Sequence, residues 1–169
     1  MPVSEIHHVA MIVSDLERSA AFYEQGLGWR RTLSASVSGD DFELSLGLPS
    51  GASARVQYLQ GPSQIGQLEL IQWDQPHEGQ QRTSPFQLGP LLLSFQVPQN
   101  EIAPIYERFK ALEAECIAKP LRVRLENYGC ITAFAIRDPD GILIEFVALP
   151  TREEIMAFRA DGDSAHADG

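Results

Sequence analysis

Basic residues are scarce in this 169-residue chain: 13 Lys and Arg stand against 23 Asp and Glu, leaving a formal net charge of −10 at pH 7. Nucleic-acid recognition depends on neutralising phosphates with clustered cations, so this balance argues against DNA or RNA as a partner. The one basic cluster, Arg122 and Arg124 with Lys119, falls on an alternating segment and reads as a solvated strand face rather than an anion site. Cysteine is scarcer still. Cys116 and Cys130 are too few for a disulfide framework, and both lie in apolar surroundings. Neither has an activating His or a CxxC partner beside it, so both read as reduced core thiols rather than a catalytic thiolate. Long apolar runs are also missing: the longest are strand-sized, far short of the ~20 residues that span a bilayer. Residues 1–5 show no basic region leading into an apolar run, so no secretory signal is expected and the expected compartment is the cytosol, with no membrane partner.

What remains is ordinary globular composition, 44% hydrophobic and 21% charged, in a length that suits one domain. Ile6 to Val13 is a short apolar β run. Asp15 then supplies an N-cap, with Leu16, Ala20, Tyr23 and Leu27 at helical spacing and Gly26 and Gly28 bracketing the helix end. Strand-like pieces follow at 29–37, 42–48, 54–60 and 67–73, separated by turn residues such as Ser38-Gly39-Asp40 and Gly61-Pro62. Residues 74–88 are polar and aperiodic and read as a linker or lid loop.

The second half repeats the first. Leu91 to Val97 is an apolar strand, Asn100 can cap a helix bearing Ile102, Ile105, Tyr106, Phe109 and Leu112, and strands are expected at 116–125, 131–137 and 142–149. Asp138-Pro139-Asp140-Gly141 is a hairpin turn whose two aspartates read as turn chemistry. Pro150-Thr151 opens a short helix, and 161–169 reads as disordered. A repeated supersecondary unit is an organising clue, because one such unit rarely buries its own sheet face. The expected fold is therefore α+β: two βαβββ modules, 5–73 and 89–149, forming a curved mixed sheet around a concave site, within one domain over 1–150 and followed by a short helix and flexible tail at 151–169.

The text IHHVAMIVSDLERSAAFYEQGLGW, then LELIQW at 68–73 and RDPDGILIEF at 137–146, resembles the vicinal oxygen chelate superfamily of glyoxalases, bleomycin-binding proteins and extradiol dioxygenases. The likeness runs from about residue 5 to 150. It implies that ligands to a divalent metal come from the first and last strands of each module, which map to His8, Glu69, Pro90 and Glu145. Three of these carry a ligating side chain, whereas Pro90 stands where the superfamily often has His. One nitrogen and two oxygen donors suit Mn, Fe, Ni, Co or Zn without choosing among them.

The residues carry their own argument beside the resemblance. Glu69 and Glu145 each sit between apolar neighbours, in Leu68-Glu69-Leu70 and Ile144-Glu145-Phe146. Strand alternation sends such a Glu to the face opposite its neighbours, and a buried carboxylate needs a partner. The bland alternative is a salt bridge or a solvated face; the recurrence at matching places in two modules favours a shared polar site. A lone His8 on an apolar strand is more often a hydrogen-bonded core residue, but with two carboxylates it reads as a ligand. Adjacent His7 is expected on the opposite face in a structural role, His77 in the linker is a weak substitute ligand, and His166 in the tail is set aside. Phe22, Tyr23, Phe95, Phe134 and Phe146 read as core, and Tyr128 as a strand-edge residue.

The expectation is a metal-dependent enzyme acting on a small oxygenated metabolite, with glyoxalase-like lyase or isomerase chemistry through an enolate-type intermediate. In it Glu145 or Glu69 moves the proton and His8, Glu69 and Glu145 hold the ion. The alternatives are a metal-free drug-binding protein and, second, a ring-cleaving dioxygenase. A homodimer is expected, with the site built within one chain or across the pair.

Overall fold

The computed structural model describes residues 3–75, 88–126 and 128–158. The middle of the expected linker, with His77, and the tail at 161–169, with His166, lie outside the described residues. The chain divides into two compact units, Met1–Arg82 with Pro139–Gly141, and Thr83–Asp138 with Ile142–Gly169.

The first unit holds β1 (His8–Ile12), α1 (Leu16–Leu27), β2 (Arg30–Ser38), α2 (Asp40–Leu46), β3 (Ser53–Gln60) and β4 (Gln67–Trp73). Its sheet runs β1-β4-β3-β2, with β1 parallel to β4 and the remaining pairs antiparallel. Alternation along β4 separates two faces. Leu68 and Leu70, with Leu59 of β3 and Met11 of β1, form the buried face. On α1, Leu16, Ala20, Phe22 and Tyr23 are also buried, and the Tyr23 hydroxyl reaches the Met11 sulfur at 3.9 Å. Each such aliphatic side chain contributes roughly 1.5–3 kcal/mol by leaving water. Asp15 caps α1 as its sequence position predicts, accepting from Arg18 N–H at 3.0 Å, and Gly28 ends it in the left-handed region at φ 68°. Gly26 lies inside the last turn, buried, rather than beyond it. Glycine is required at 61, where a Cβ would sit 2.6 Å from the Trp29 indole.

One expected strand is a helix. Residues 42–48 alternate like a strand, but Asp40–Leu46 forms α2 after Gly39 turns the chain at φ 101°. Asp40, Asp41 and Glu43 crowd its first turn, where carboxylates complement the exposed amide groups, and left-handed Gly47 stops it. None of its residues is buried, and Leu44 is 84% exposed, so no core selects the strand alternative.

The second unit holds β5 (Leu93–Gln96), α3 (Ile102–Ala111), β6 (Glu115–Cys116), β7 (Leu121–Leu125), β8 (Gly129–Arg137) and β9 (Leu143–Ala148), followed by α4 at residues 152–158. Its sheet runs β5-β9-β8-β6, with β7 also paired to β8 and β5 parallel to β9. The core is aromatic: Phe146 lies 4.9 Å from Phe134, 5.0 Å from Phe109 and 5.7 Å from Phe95, between ring centroids. The strand expected at 116–125 is two strands, because Lys119-Pro120 interrupts the ladder where proline offers no N–H. The α3 N-cap is Glu101 rather than Asn100, and no side chain caps it. All of β7 is exposed, as expected of a solvated face, with Arg124 stacked 4.6 Å over the Phe158 ring. Both thiols are free but only half-buried, less enclosed than core cysteines, and burial pushes the Cys116 thiol up.

The Asp138–Gly141 turn goes beyond hairpin chemistry. Asp138 accepts from Ile142 N–H at 2.7 Å, as turn chemistry requires. Asp140 instead gathers Ser14 N–H at 3.1 Å, the Ser19 hydroxyl at 3.1 Å and the Arg18 guanidinium at 2.9 Å, with the Ser14 hydroxyl closer still. All of these belong to the first unit. No helix among the described residues is long and apolar enough to cross a membrane.

Candidate functional site

Glu69 lies on the sheet face opposite Leu68 and Leu70, as its apolar neighbours require, and its carboxylate is largely covered at 15% exposure. His8 opens β1 two positions along the same face from Ala10, which stands directly opposite Glu69. Its Nε2 lies 3.2 Å from Glu69 Oε2.

Two residues join that pair which the sequence reading left out or misplaced. Tyr58 of β3 stands directly across the ladder from Glu69. Burial first, then the hydrogen bond and charge of Glu69, push the phenol up to about 12. Its ring also meets His8 edge-on, 5.6 Å between centroids at 73°. The signal was present in the sequence: folding 54–60 and 67–73 symmetrically about 61–66 places 58 against 69. His7, expected on the far face, instead brings its Nδ1 to 2.9 Å from His8 Nδ1. It precedes the first residue of β1, so strand alternation does not bind it, and its carbonyl accepts from Gly66 and Gln67 N–H.

Glu145 belongs to the second unit. It lies on β9 between buried Ile144 and Phe146, with Ser94 of β5 directly opposite, and the Ser94 hydroxyl donates to Oε2 at 2.7 Å. The two carboxylates therefore occupy equivalent register positions in their own sheets: Glu69 opposite Ala10 and Tyr58, Glu145 opposite Ser94 and Ala135. The same registers correct the place of the fourth position. His8 precedes Ala10 by two residues, and the residue two before Ser94 is Leu92, not Pro90. Leucine offers no more of a donor than proline does.

The His8–Glu69 pair fits a divalent ion in donor chemistry and in spacing. Imidazole nitrogen and carboxylate oxygen each bind such ions at about 2.0–2.2 Å, so two donors sharing one ion stand about 3 Å apart. Among the described residues, no group of three or more His, Cys, Asp or Glu side chains is placed to hold a metal ion.

A model of the glyoxalase/bleomycin resistance protein/dioxygenase superfamily matches residues 5–146. Among solved structures, the chain is similar to a glyoxalase family protein from Bacillus cereus, at 24% identity and TM-score 0.73 over 89% of this chain and 97% of that one. It is also similar to the fosfomycin resistance protein FosX from Listeria monocytogenes, solved with Mn(II) and sulfate, at 21% identity and TM-score 0.60 over 92% and 99%. A glyoxylase/bleomycin resistance protein/dioxygenase domain from Frankia sp. EAN1pec follows at 23% identity and TM-score 0.60 over 88% and 100%. At these identities the likeness carries the fold alone. No curated protein matches the sequence.

Proposed function

The chain belongs to the glyoxalase/bleomycin resistance protein/dioxygenase superfamily, and from that premise we propose that it is a metal-dependent enzyme acting on a small oxygenated metabolite. The single observation that carries the reading is the His8 Nε2–Glu69 Oε2 pair at 3.2 Å, a nitrogen and an oxygen donor spaced to share one ion. Glu145 is the proposed third donor, supported by its register equivalence to Glu69 within its own sheet and supplied by the same chain or by a second copy. FosX, solved with Mn(II), supports the choice of a divalent ion. In this reading the two modules act as one domain over residues 1–150, and the protein is a homodimer.

When bound, the ion supplies Lewis-acid stabilisation of negative charge on a substrate oxygen. The chain's own residues do the rest. His8 and Glu69 orient the substrate's oxygen-bearing end. Glu145, held by Ser94, takes a proton from carbon beside a carbonyl and returns it, which is lyase or isomerase work. Ring-cleaving dioxygenase chemistry is a weaker reading, because its iron favours two His and one carboxylate.

A metal-free ligand-binding protein is the second reading. It is favoured by the fourth position, where neither Leu92 nor Pro90 offers a donor. Elemental analysis of protein purified without chelators or a metal-affinity column separates the two. About one divalent ion per chain or per dimer supports the enzyme; none, together with no uptake of Mn²⁺, Fe²⁺, Ni²⁺, Co²⁺ or Zn²⁺ after dialysis, overturns it.

A further inference from the structure

The two nitrogens of the His8 ring meet different partners. Nε2 lies 3.2 Å from the Glu69 carboxylate, and Nδ1 lies 2.9 Å from Nδ1 of His7. The nitrogens of an imidazole point in divergent directions, so His7 stands on the side of the ring away from Glu69 and does not share an ion with that pair. Of two δ nitrogens at hydrogen-bond distance, one donates and the other accepts. The His7 ring reaches this place because its backbone is held just ahead of β1. Its carbonyl accepts from Gly66 N–H at 2.9 Å and Gln67 N–H at 3.0 Å, with Gly66 in the left-handed region at φ 75°. The two imidazoles meet edge-on, 5.2 Å between centroids at 88°.

We infer that His7 is the positioning residue of His8: its Nδ1 holds His8 Nδ1, which fixes the rotation of the ring and leaves Nε2 as the nitrogen turned to Glu69. The positioning stands on the geometry of the first unit, while its consequence for metal affinity rests on the reading proposed above. The last torsion of a histidine side chain is broad, so a ring without a partner on its second nitrogen can turn and withdraw Nε2 from the carboxylate. A neutral ring that offers Nε2 to an ion carries its one proton on Nδ1, and His7 Nδ1 is the acceptor within reach of it. The departure of His7 from strand alternation thus has a use: a residue facing the far side of the sheet could not make this contact.

The test uses the full chain stripped of metal and labelled with ¹⁵N-histidine, in wild-type form, as His7→Phe and as His7→Asn, whose amide comes to the place of Nδ1. Four quantities are measured: the melting temperature, the scalar coupling between the two δ nitrogens across their hydrogen bond, the ¹⁵N resonances of the His8 ring, and Mn²⁺ affinity from the electron paramagnetic resonance signal of the free ion. The wild type is expected to show the coupling. His7→Phe is expected to melt near the wild type, to shift the His8 ring resonances and to lose about 10-fold in Mn²⁺ affinity, and His7→Asn to recover most of that loss. Absence of the coupling, unmoved His8 resonances in folded His7→Phe, or equal affinities in His7→Phe and His7→Asn each overturn the inference. A second Mn²⁺ per chain that is lost in His7→Phe overturns it too, by making His7 a ligand. Wild-type protein that takes up no Mn²⁺ overturns the metal reading instead, and the coupling and the His8 resonances then decide the positioning role alone. Should His7→Phe melt early, His7→Gln, whose amide reaches past the place of Nδ1, replaces it in every comparison.

Discussion

Tyr58 stands directly across the β3–β4 ladder from Glu69, and its ring meets His8 edge-on at 5.6 Å between centroids. The equivalent place in the second unit, opposite Glu145, holds Ala135. A topological repeat has therefore been given unlike chemistry at matching positions. Glu69 lies beside an imidazole and a phenol, and Glu145 beside an aliphatic hydroxyl.

The phenol gives a pH signature. Its ordinary value is 10.0, and in the fold burial and Glu69 push it up to about 12. The folded state therefore keeps a proton that the unfolded chain releases, so this contribution is complete below pH 10 and is lost as pH rises through about 12. In the presence of EDTA, the melting temperature is expected to fall between about pH 10 and 12, and to fall less steeply in Tyr58→Phe. Parallel curves for the two proteins would contradict the assignment.

Asp140 gives a stability test. Its carboxylate, 7% exposed, accepts from Ser14, Ser19 and Arg18 around the start of α1. Asp140→Ala leaves a backbone N–H and buried Ser19 without that acceptor, so a loss of about 2–4 kcal/mol is expected in urea unfolding. Asp140→Asn keeps an oxygen acceptor and should cost less. Equal stability of the alanine variant and the wild type would show that the carboxylate is dispensable.

These residues mark where sequence reasoning succeeded and where it stopped. The strand–helix–strand repeat was legible because β4 and β9 alternate around Glu69 and Glu145 and because Asp15 and Gly28 bound α1 with ordinary cap chemistry. Helix α2 was not, because Phe42, Leu44 and Leu46 alternate like a strand in a segment that buries nothing. Tyr58 was missed although the fold of 54–60 onto 67–73 already sets it against Glu69, and Ser94 because the parallel β5–β9 register that brings it to Glu145 appears only when strands are paired. Asp140 was read as a turn residue because a Pro-Asp-Gly turn explains it locally. Its real partners lie more than 120 positions away in sequence. His7 escaped because strand periodicity was applied one residue before the strand begins.

The aromatic core of the second unit is expected to be more sensitive than any site residue. Phe146 is 1% exposed and packs against Phe95, Phe109 and Phe134. Phe146→Ala removes the ring all three share, and such truncations cost about 3–5 kcal/mol. Phe42 of α2 touches Trp73 at 6.2 Å from a helix that buries nothing, so Phe42→Ala should cost far less. Similar losses in the two variants would mean that α2 is held more firmly than its exposure indicates.

The last test separates the enzyme from the binding protein at Glu69. If His8 and Glu69 hold an ion, Mn²⁺ at about 100 times its dissociation constant stabilises the fold by roughly 2.7 kcal/mol. In a chain of this size that raises the melting temperature by about 5–10 °C, and EDTA reverses it. Glu69→Gln keeps the size of the side chain, but removes the charge and the strongest oxygen donor. The variant is therefore expected to fold, to melt near the metal-free wild type and to show no Mn²⁺ shift. Glu145→Gln is expected to abolish the shift as well, and any turnover with it, because one imidazole and one carboxylate leave a divalent ion weakly held. A wild-type melt insensitive to Mn²⁺, Ni²⁺, Co²⁺ and Zn²⁺, but raised by an organic cation in a Glu69-dependent way, would transfer the pair from catalysis to ligand capture.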